Sequence, residues 1–163
     1  MTDLEQGLKE ISQNREVIIE KLLQFSLTDT LMFWGNEKDL IELQQQKWQP
    51  ILTWAEKQLN LEIKRTQNLD VPEENKEAGY RIKNFLLSLD DKELTAFYKS
   101  ALLMKSILLA MAFVKKEISA EQAFEAALLE ERWQNKIWGT TDEAEENQEA
   151  FKQELIEIEN FLK

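Results

Sequence analysis

Apolar residues recur every three or four positions along most of this chain, the spacing that places them on one face of an α-helix. The pattern predicts about six helices, and only four Gly and two Pro residues interrupt it. The helices are expected at about residues 2–25, 36–59 with a kink or restart at Pro50, 77–87, 90–116, 119–139 and 140–162. Weak alternation over residues 61–67 indicates a short strand or extended segment. We therefore predict an all-α fold in a single domain, residues 1–163.

Capping residues define several of the predicted helix ends. In a capping box, a short polar side chain and a Glu or Gln three residues later bond each other's backbone N–H. The pairs that fit this pattern are Thr2 with Glu5, Asp90 with Glu93, Ser119 with Gln122 and Thr140 with Glu143. Asn36 is expected to cap the second helix, and Gly139 to end the fifth in a left-handed conformation.

One acidic residue falls within an apolar helical stripe. Glu131 lies between Leu128 and Asn135 on the stripe of the fifth predicted helix. Because burying an unpaired carboxylate is costly, Glu131 is expected to point inward toward a partner or to line a cleft. Arg15 and Lys105 also lie within apolar patterns, and we predict that one of them holds Glu131. Lys105 is favoured because its helix immediately precedes that of Glu131.

Three other residues admit both a structural and a functional interpretation. Glu130 is expected to be an ordinary surface carboxylate, and Asp29 a local cap in the connector after the first helix. Trp138 ends a helix beside Gly139 and is expected to be partly exposed, whereas Trp48 is assigned to the core. Glu130, Asp29 and Trp138 also stay candidates for binding a partner.

The composition disfavours several classes of function. Acidic residues outnumber basic ones 31 to 20, for a formal charge of −11, which argues against a nucleic-acid or anionic-membrane partner. The chain has no histidine and no cysteine, so the commonest general base and metal ligand and any thiolate site are missing. The strongest apolar run, residues 101–114, contains a lysine and is shorter than the roughly 20 residues of a membrane span. We predict no enzyme activity, no cofactor, no metal and no membrane insertion.

One enzymatic alternative stays open at the level of residues. Glutamates at i and i+3, such as Glu143 with Glu146 and Glu154 with Glu157, could hold Mg²⁺ on a helical bundle. A carboxylate-dependent Mg²⁺ phosphohydrolase would need several acids from different helices around one cavity. A solvated helix face in an acidic protein contains the same residues, and this simpler interpretation is favoured.

Several segments resemble one known family. Residues 129–139 read L-E-E-x-aromatic-Q-x-x-x-W-G, and residues 48–55 read W-x-P-hydrophobic-hydrophobic-x-W-A. Thr28–Asp29 and Leu89–Asp91 match two further short motifs. Over nearly its whole length the chain thus resembles the assembly chaperones that bind the alpha subunit of the F-type ATP synthase head.

The resemblance implies a partner, a place of action and a site. The family has a β-rich N-terminal domain and an α-helical C-terminal domain, and this chain corresponds to the helical domain, with the β-rich one absent. It implies a chaperone without cofactor that binds unassembled alpha subunit and prevents its aggregation, in the bacterial cytoplasm or the mitochondrial matrix. The family's important acid maps to Glu130 or Glu131, and the apolar stripe favours Glu131. A helical interaction module with another client is the alternative.

Overall fold

The computed structural model describes residues 2–25, 29–67 and 76–163. Within these ranges the chain forms nine α-helices and a single turn of 3₁₀ helix, Thr30–Met32, and no strand. The helices are α1 (Asp3–Leu23), α2 (Lys38–Lys47), α3 (Gln49–Leu59), α4 (Lys76–Ser88), α5 (Asp91–Met104), α6 (Ile107–Val114), α7 (Ala120–Ala127), α8 (Leu129–Trp138) and α9 (Asp142–Phe161). The all-α prediction is confirmed, although the helices are more numerous and shorter than expected. Thr28 of the predicted motif lies outside the described residues.

Three of the four predicted capping boxes are present, and they start α1, α5 and α7. The fourth is wrong by one residue, because the hydroxyl of Thr141, not that of Thr140, accepts from the backbone N–H of Ala144 at the start of α9. Asn36 does not cap α2 either. Glu37 takes the cap position, without a side-chain hydrogen bond.

Three of the long predicted helices are each divided in two. The restart expected near Pro50 occurs at Trp48, which joins α2 to α3. The predicted 90–116 helix breaks at Lys105, whose backbone is left-handed at φ 55°, and the hydroxyl of Ser106 then caps α6. Leu128 separates α7 from α8 with φ −104° and ψ 20°. Each break rotates the residues that follow it, so an apolar stripe read across it misplaces its later members.

The segment predicted as a short strand or extended forms no strand, but backbone hydrogen bonds join it to the connector before α2. Trp34 N–H donates to the carbonyl of Thr66, and Thr66 N–H donates to that of Met32, each at 2.7 Å. This isolated bridge ties the segment to the connector between α1 and α2.

Helix α6 lies at the centre of the core. All eight of its residues are buried, and it packs against α3, α5 and α7. Around it, α1 packs on α4 and α5, α9 packs on α5 and α7, and α2 packs on α3 and α8. The pairing of α2 with α8 brings residues about 90 positions apart in sequence into contact.

Among the residues described, no helix is both long enough and apolar enough to cross a membrane.

Candidate functional site

The contact between α2 and α8, hereafter the α2–α8 seam, is built around a buried amide. Gln44 is 0% exposed, and its Nε2 donates to Glu130 Oε1 at 3.1 Å. The backbone N–H of Gly35 donates to Gln44 Oε1 at 3.2 Å. Because the amide oxygen already accepts from Gly35, the amide NH₂ must face Glu130. Gln44 therefore orients the Glu130 carboxylate at the start of α8.

Close backbone approach makes this arrangement possible. A Cβ atom at position 35 would lie 2.4 Å from Cδ2 of Leu40, which is a clash with a buried side chain. Glycine at position 35 lets the chain pass close over α2 and present its N–H to Gln44.

One further polar contact crosses the seam, and two more join the end of α2 to α7. Trp133 Nε1 donates to Asp39 Oδ2 at 2.9 Å, directly between α8 and α2. Trp48, buried at the end of α2, donates its Nε1 to the carbonyl of Ala126 in α7 at 2.8 Å. Lys47 and Glu125 of α7 form an ion pair at 3.1 Å. Because α7 leads directly into α8, these contacts hold the start of α8, and with it Glu130, beside α2.

Burial is the main cause that raises the pKa of Glu130 above its ordinary value. The hydrogen bond from Gln44 acts in the opposite direction, and the negative charge of Glu37 raises the pKa further. A carboxyl whose pKa is raised by folding binds its proton more tightly in the folded state. Its contribution to stability is therefore full below the unfolded pKa and is lost as the pH rises through the folded one.

We expect Glu130→Gln to be neutral or mildly stabilising at pH 7. Its free energy of unfolding should equal that of the parent to within about 0.5 kcal/mol, or exceed it. The amide oxygen of a glutamine can still accept from Gln44, while the half-buried charge is removed. Urea unfolding at neutral and at mildly acidic pH tests this, and the advantage of the variant should shrink as the pH falls. A variant that is markedly less stable at pH 7 would contradict the account of Glu130.

The prediction that Glu131 points inward is wrong. Its side chain is exposed, and within the described ranges it joins no ion pair. Arg15 instead binds Asp91 at 3.0 Å and donates to carbonyls at the end of α4 and just after it. Lys105 is exposed and ends α5. The break at Leu128 is the physical reason, because it turns Glu130, not Glu131, toward the neighbouring helix.

Asp29 is a cap, as expected, but its contacts extend well beyond the local turn. It is 1% exposed, and its Oδ1 accepts from Leu31 N–H at 3.0 Å and from the Ser106 hydroxyl at 2.7 Å. Its Oδ2 accepts from Leu108 N–H at 2.9 Å. Asp29 therefore joins the first connector to the start of α6, and its surroundings leave no room for a partner protein.

Trp138 is on the outside of the molecule, as predicted, with 83% of its surface exposed. It ends α8 beside Gly139, whose φ of 88° is positive, as expected for a glycine cap, while its ψ of 173° lies outside the left-handed helical region. The chain thus leaves α8 abruptly and keeps the indole away from the core.

Comparison with known proteins shows a similarity to one family. Residues 1–56 match the family model described as ATP12 chaperone protein. The protein named "Protein atp12, mitochondrial" of Schizosaccharomyces pombe is 27% identical over 151 residues, which cover 88% of this chain and 51% of that protein. The chain is thus similar to the ATP12 chaperone family. It spans about half the length of this curated relative.

Solved structures of ATP12 proteins show the same fold. Atp12 from Paracoccus denitrificans superposes with a TM-score of 0.88 at 22% identity, over 96% of this chain and 67% of that one. A mutant of that protein gives a TM-score of 0.89 at the same identity and coverage. A putative chaperone from Agrobacterium tumefaciens gives 0.78 at 26% identity, over 96% of this chain and 59% of that one. The family model and the Agrobacterium protein are named chaperones, which agrees with the prediction that the chain is not an enzyme.

The geometry that a Mg²⁺ phosphohydrolase would need is not seen in the described part of this chain. Glu143, Glu146, Glu154 and Glu157 are all exposed along α9. In residues 2–25, 29–67 and 76–163, no three acidic side chains converge on a point where they could hold a metal ion.

Gln44 is the residue of the α2–α8 seam that the sequence analysis does not single out. It follows Leu40 and precedes Trp48 by four positions each, so it sits on the apolar stripe of α2. A polar residue within an apolar stripe indicates a buried hydrogen bond, and the same reasoning singles out Glu131 in the sequence.

Proposed function

We propose that this chain is an assembly chaperone that binds the unassembled alpha subunit of F-type ATP synthase and prevents its aggregation. The match of residues 1–56 to the ATP12 chaperone family model is the observation that supports this most directly, and the 27% identical protein named atp12 agrees with it. The proposal includes a single helical domain acting without metal or cofactor. It also places the protein in the bacterial cytoplasm, or in the mitochondrial matrix if the source is eukaryotic. The curated relative is named mitochondrial, and the solved relatives are bacterial.

The α2–α8 seam supports Glu130 as the functional acid of the L-E-E stretch. Glu130 is half-buried, is oriented by Gln44, and has its pKa raised further by the charge of Glu37. Glu131, by contrast, is exposed and joins no ion pair in the described structure. A carboxylate held in one position loses less conformational freedom on binding than a free one. Glu131 and Trp138 are proposed as secondary contacts with the client. Asp29, which is buried, is proposed as a structural residue.

Co-expression with alpha subunit is expected to raise the amount of soluble alpha subunit several-fold, since the chaperone covers apolar surface that otherwise aggregates. The measurement is the soluble fraction of alpha subunit after centrifugation. We expect Glu130→Gln to abolish most of this gain while the variant itself stays folded. Glu131→Gln, one residue away on the same helix, is the matched control and should keep most of it.

Two outcomes would overturn the assignment. One is unchanged solubility of alpha subunit both with this chain and with a version that carries a β-rich N-terminal domain. The other is capture of a different client in a pull-down from the source cell, which would support a general helical interaction module. If Glu130→Gln and Glu131→Gln reduce the gain in soluble alpha subunit equally, the chaperone role stands, but Glu130 is rejected as the functional acid of the L-E-E stretch.

A further inference from the structure

The end of α8 exposes the most accessible large apolar side chain in the described structure. Trp138 is 83% exposed and Ile137 beside it is 49% exposed. Both sit on a well-formed helix end, because Gly139 N–H donates to the carbonyl of Asn135 at 2.9 Å and closes the last turn. A tryptophan side chain can bury roughly 150–250 Å² of surface against a partner that packs on it. The side chain is therefore held out toward solvent by ordered backbone.

The sequence beyond this tryptophan carries charge of one sign. From residue 137 to residue 149 there are five acidic residues and no basic one. Four of them lie exposed in the first turns of α9, namely Asp142, Glu143, Glu145 and Glu146. None of these four joins an ion pair within the described ranges. Of the nearby basic residues, Arg132 lies over the ring of Phe124, and the exposed Lys136 precedes Ile137.

We propose that the α8–α9 corner, defined as Ile137, Trp138 and the exposed acids of residues 142–146, docks a basic segment of the client that also carries apolar side chains. An indole face attracts Lys or Arg more strongly than any other aromatic side chain does. The flanking carboxylates supply the complementary field that steers and orients such a segment. The proposal rests on the proposed chaperone function and names the chemistry of the surface it recognises.

Charge also argues against a second copy of this chain as the occupant. The chain carries a formal charge of −11, and the corner is acidic itself, so two copies would bring like charges together. An acidic partner and a lipid surface rich in anionic headgroups are disfavoured for the same reason.

A labelled amphipathic peptide of Lys and Leu tests the corner without the natural client. Fluorescence anisotropy at about 50 mM salt should show saturable binding that weakens at about 200 mM. A Glu–Leu peptide of the same pattern should not bind. Trp138→Ala is expected to weaken binding about tenfold, in keeping with the loss of one cation–π contact and its buried area. Trp138→Phe should weaken binding less than Trp138→Ala does.

Matched variants separate the corner from the general acidity of the protein. Glu143→Lys with Glu146→Lys should weaken binding as strongly as Trp138→Ala, whereas Glu154→Lys with Glu157→Lys, at the same spacing on the same helix, should not. Tyr80→Ala removes another exposed aromatic residue, 64% accessible, and should leave binding unchanged. Circular dichroism of each variant confirms that it is folded.

Several results would overturn the proposal. They are absence of saturable binding, equal binding of the Glu–Leu peptide, or equal weakening by the corner variants and their controls. A dimer in sedimentation that Trp138→Ala dissolves would show that a second copy is the occupant. If the peptide binds but the chain does not raise alpha-subunit solubility, the docking role of the corner stands and the proposed client is rejected. The two proposals can therefore fail separately.

Discussion

Replacing Asp29 by Ala is expected to lower the free energy of unfolding by about 3–5 kcal/mol. The carboxylate accepts three hydrogen bonds in a site that is closed to solvent, from Leu31 N–H, Leu108 N–H and the Ser106 hydroxyl. Each buried donor left without an acceptor costs roughly 1–3 kcal/mol. Urea unfolding followed by far-ultraviolet circular dichroism measures the loss. A decrease below about 1 kcal/mol would contradict the role given to Asp29.

Asp29→Asn is the informative companion variant. It keeps one acceptor oxygen but directs an amide NH₂ toward one of the donors, so we expect a smaller loss than with alanine. Burial raises the pKa of Asp29, although hydrogen bonds from the surrounding backbone N–H groups and from the Ser106 hydroxyl act in the opposite direction. The folded state therefore binds this proton more tightly than the unfolded chain. The contribution of Asp29 is full below the unfolded pKa and falls as the pH rises, so the stability gap between parent and Asp29→Asn should narrow from about pH 4 upward.

Replacing Gln44 by Glu is expected to cost about 3–5 kcal/mol at pH 7, because it buries a second carboxylate against Glu130. Glu37 adds a third negative charge nearby. A glutamate at position 44 can still accept from Gly35 N–H, but the amide NH₂ that donates to Glu130 is lost. Lower pH should recover much of the stability as the carboxyls protonate. Gln44→Met, which removes the hydrogen bonds without adding charge, should cost less, about 1–3 kcal/mol.

The reversed pair provides the decisive control for Gln44. In Gln44→Glu combined with Glu130→Gln, the amide at position 130 can donate to the carboxylate at position 44, which restores the hydrogen bond in the opposite sense. We expect a favourable coupling of about 1–3 kcal/mol in the double-mutant cycle. Additive effects of the two substitutions would show that the two side chains do not interact in solution.

The sequence predicts the fold class and most helix starts of this chain well, because capping boxes and apolar periodicity are local signals. Thr2, Asp90 and Ser119 each start a helix through contacts within three residues. The helix breaks at Lys105 and Leu128 escaped prediction, since neither carries Gly or Pro. Tertiary packing decides them, as the Thr30 backbone N–H and hydroxyl, which both donate to the Lys105 carbonyl, show.

The candidate site was only partly predictable for the same reason. The motif at residues 129–139 indicated an important acid, but choosing between Glu130 and Glu131 required the rotation of α8 about the break at Leu128. The contact of Gln44 with Glu130 spans 86 positions in the sequence, and no local pattern encodes it. Exposure of Trp138 was foreseen because a helix end beside glycine has few neighbours. The seam depends on which helices pack together, and a single sequence does not supply that.

Helix α6 leaves the ribosome before α7, the helix that covers one of its sides. It is an uncharged stretch of eight apolar residues, Ile107–Val114, and of the helices α3, α5 and α7 that pack on it, only α3 and α5 have been synthesised by then. Such a segment is prone to intermolecular association for as long as it is uncovered. The nascent chain therefore passes through an interval in which it is itself at risk of aggregating, and that interval closes only when α7 folds back onto the core.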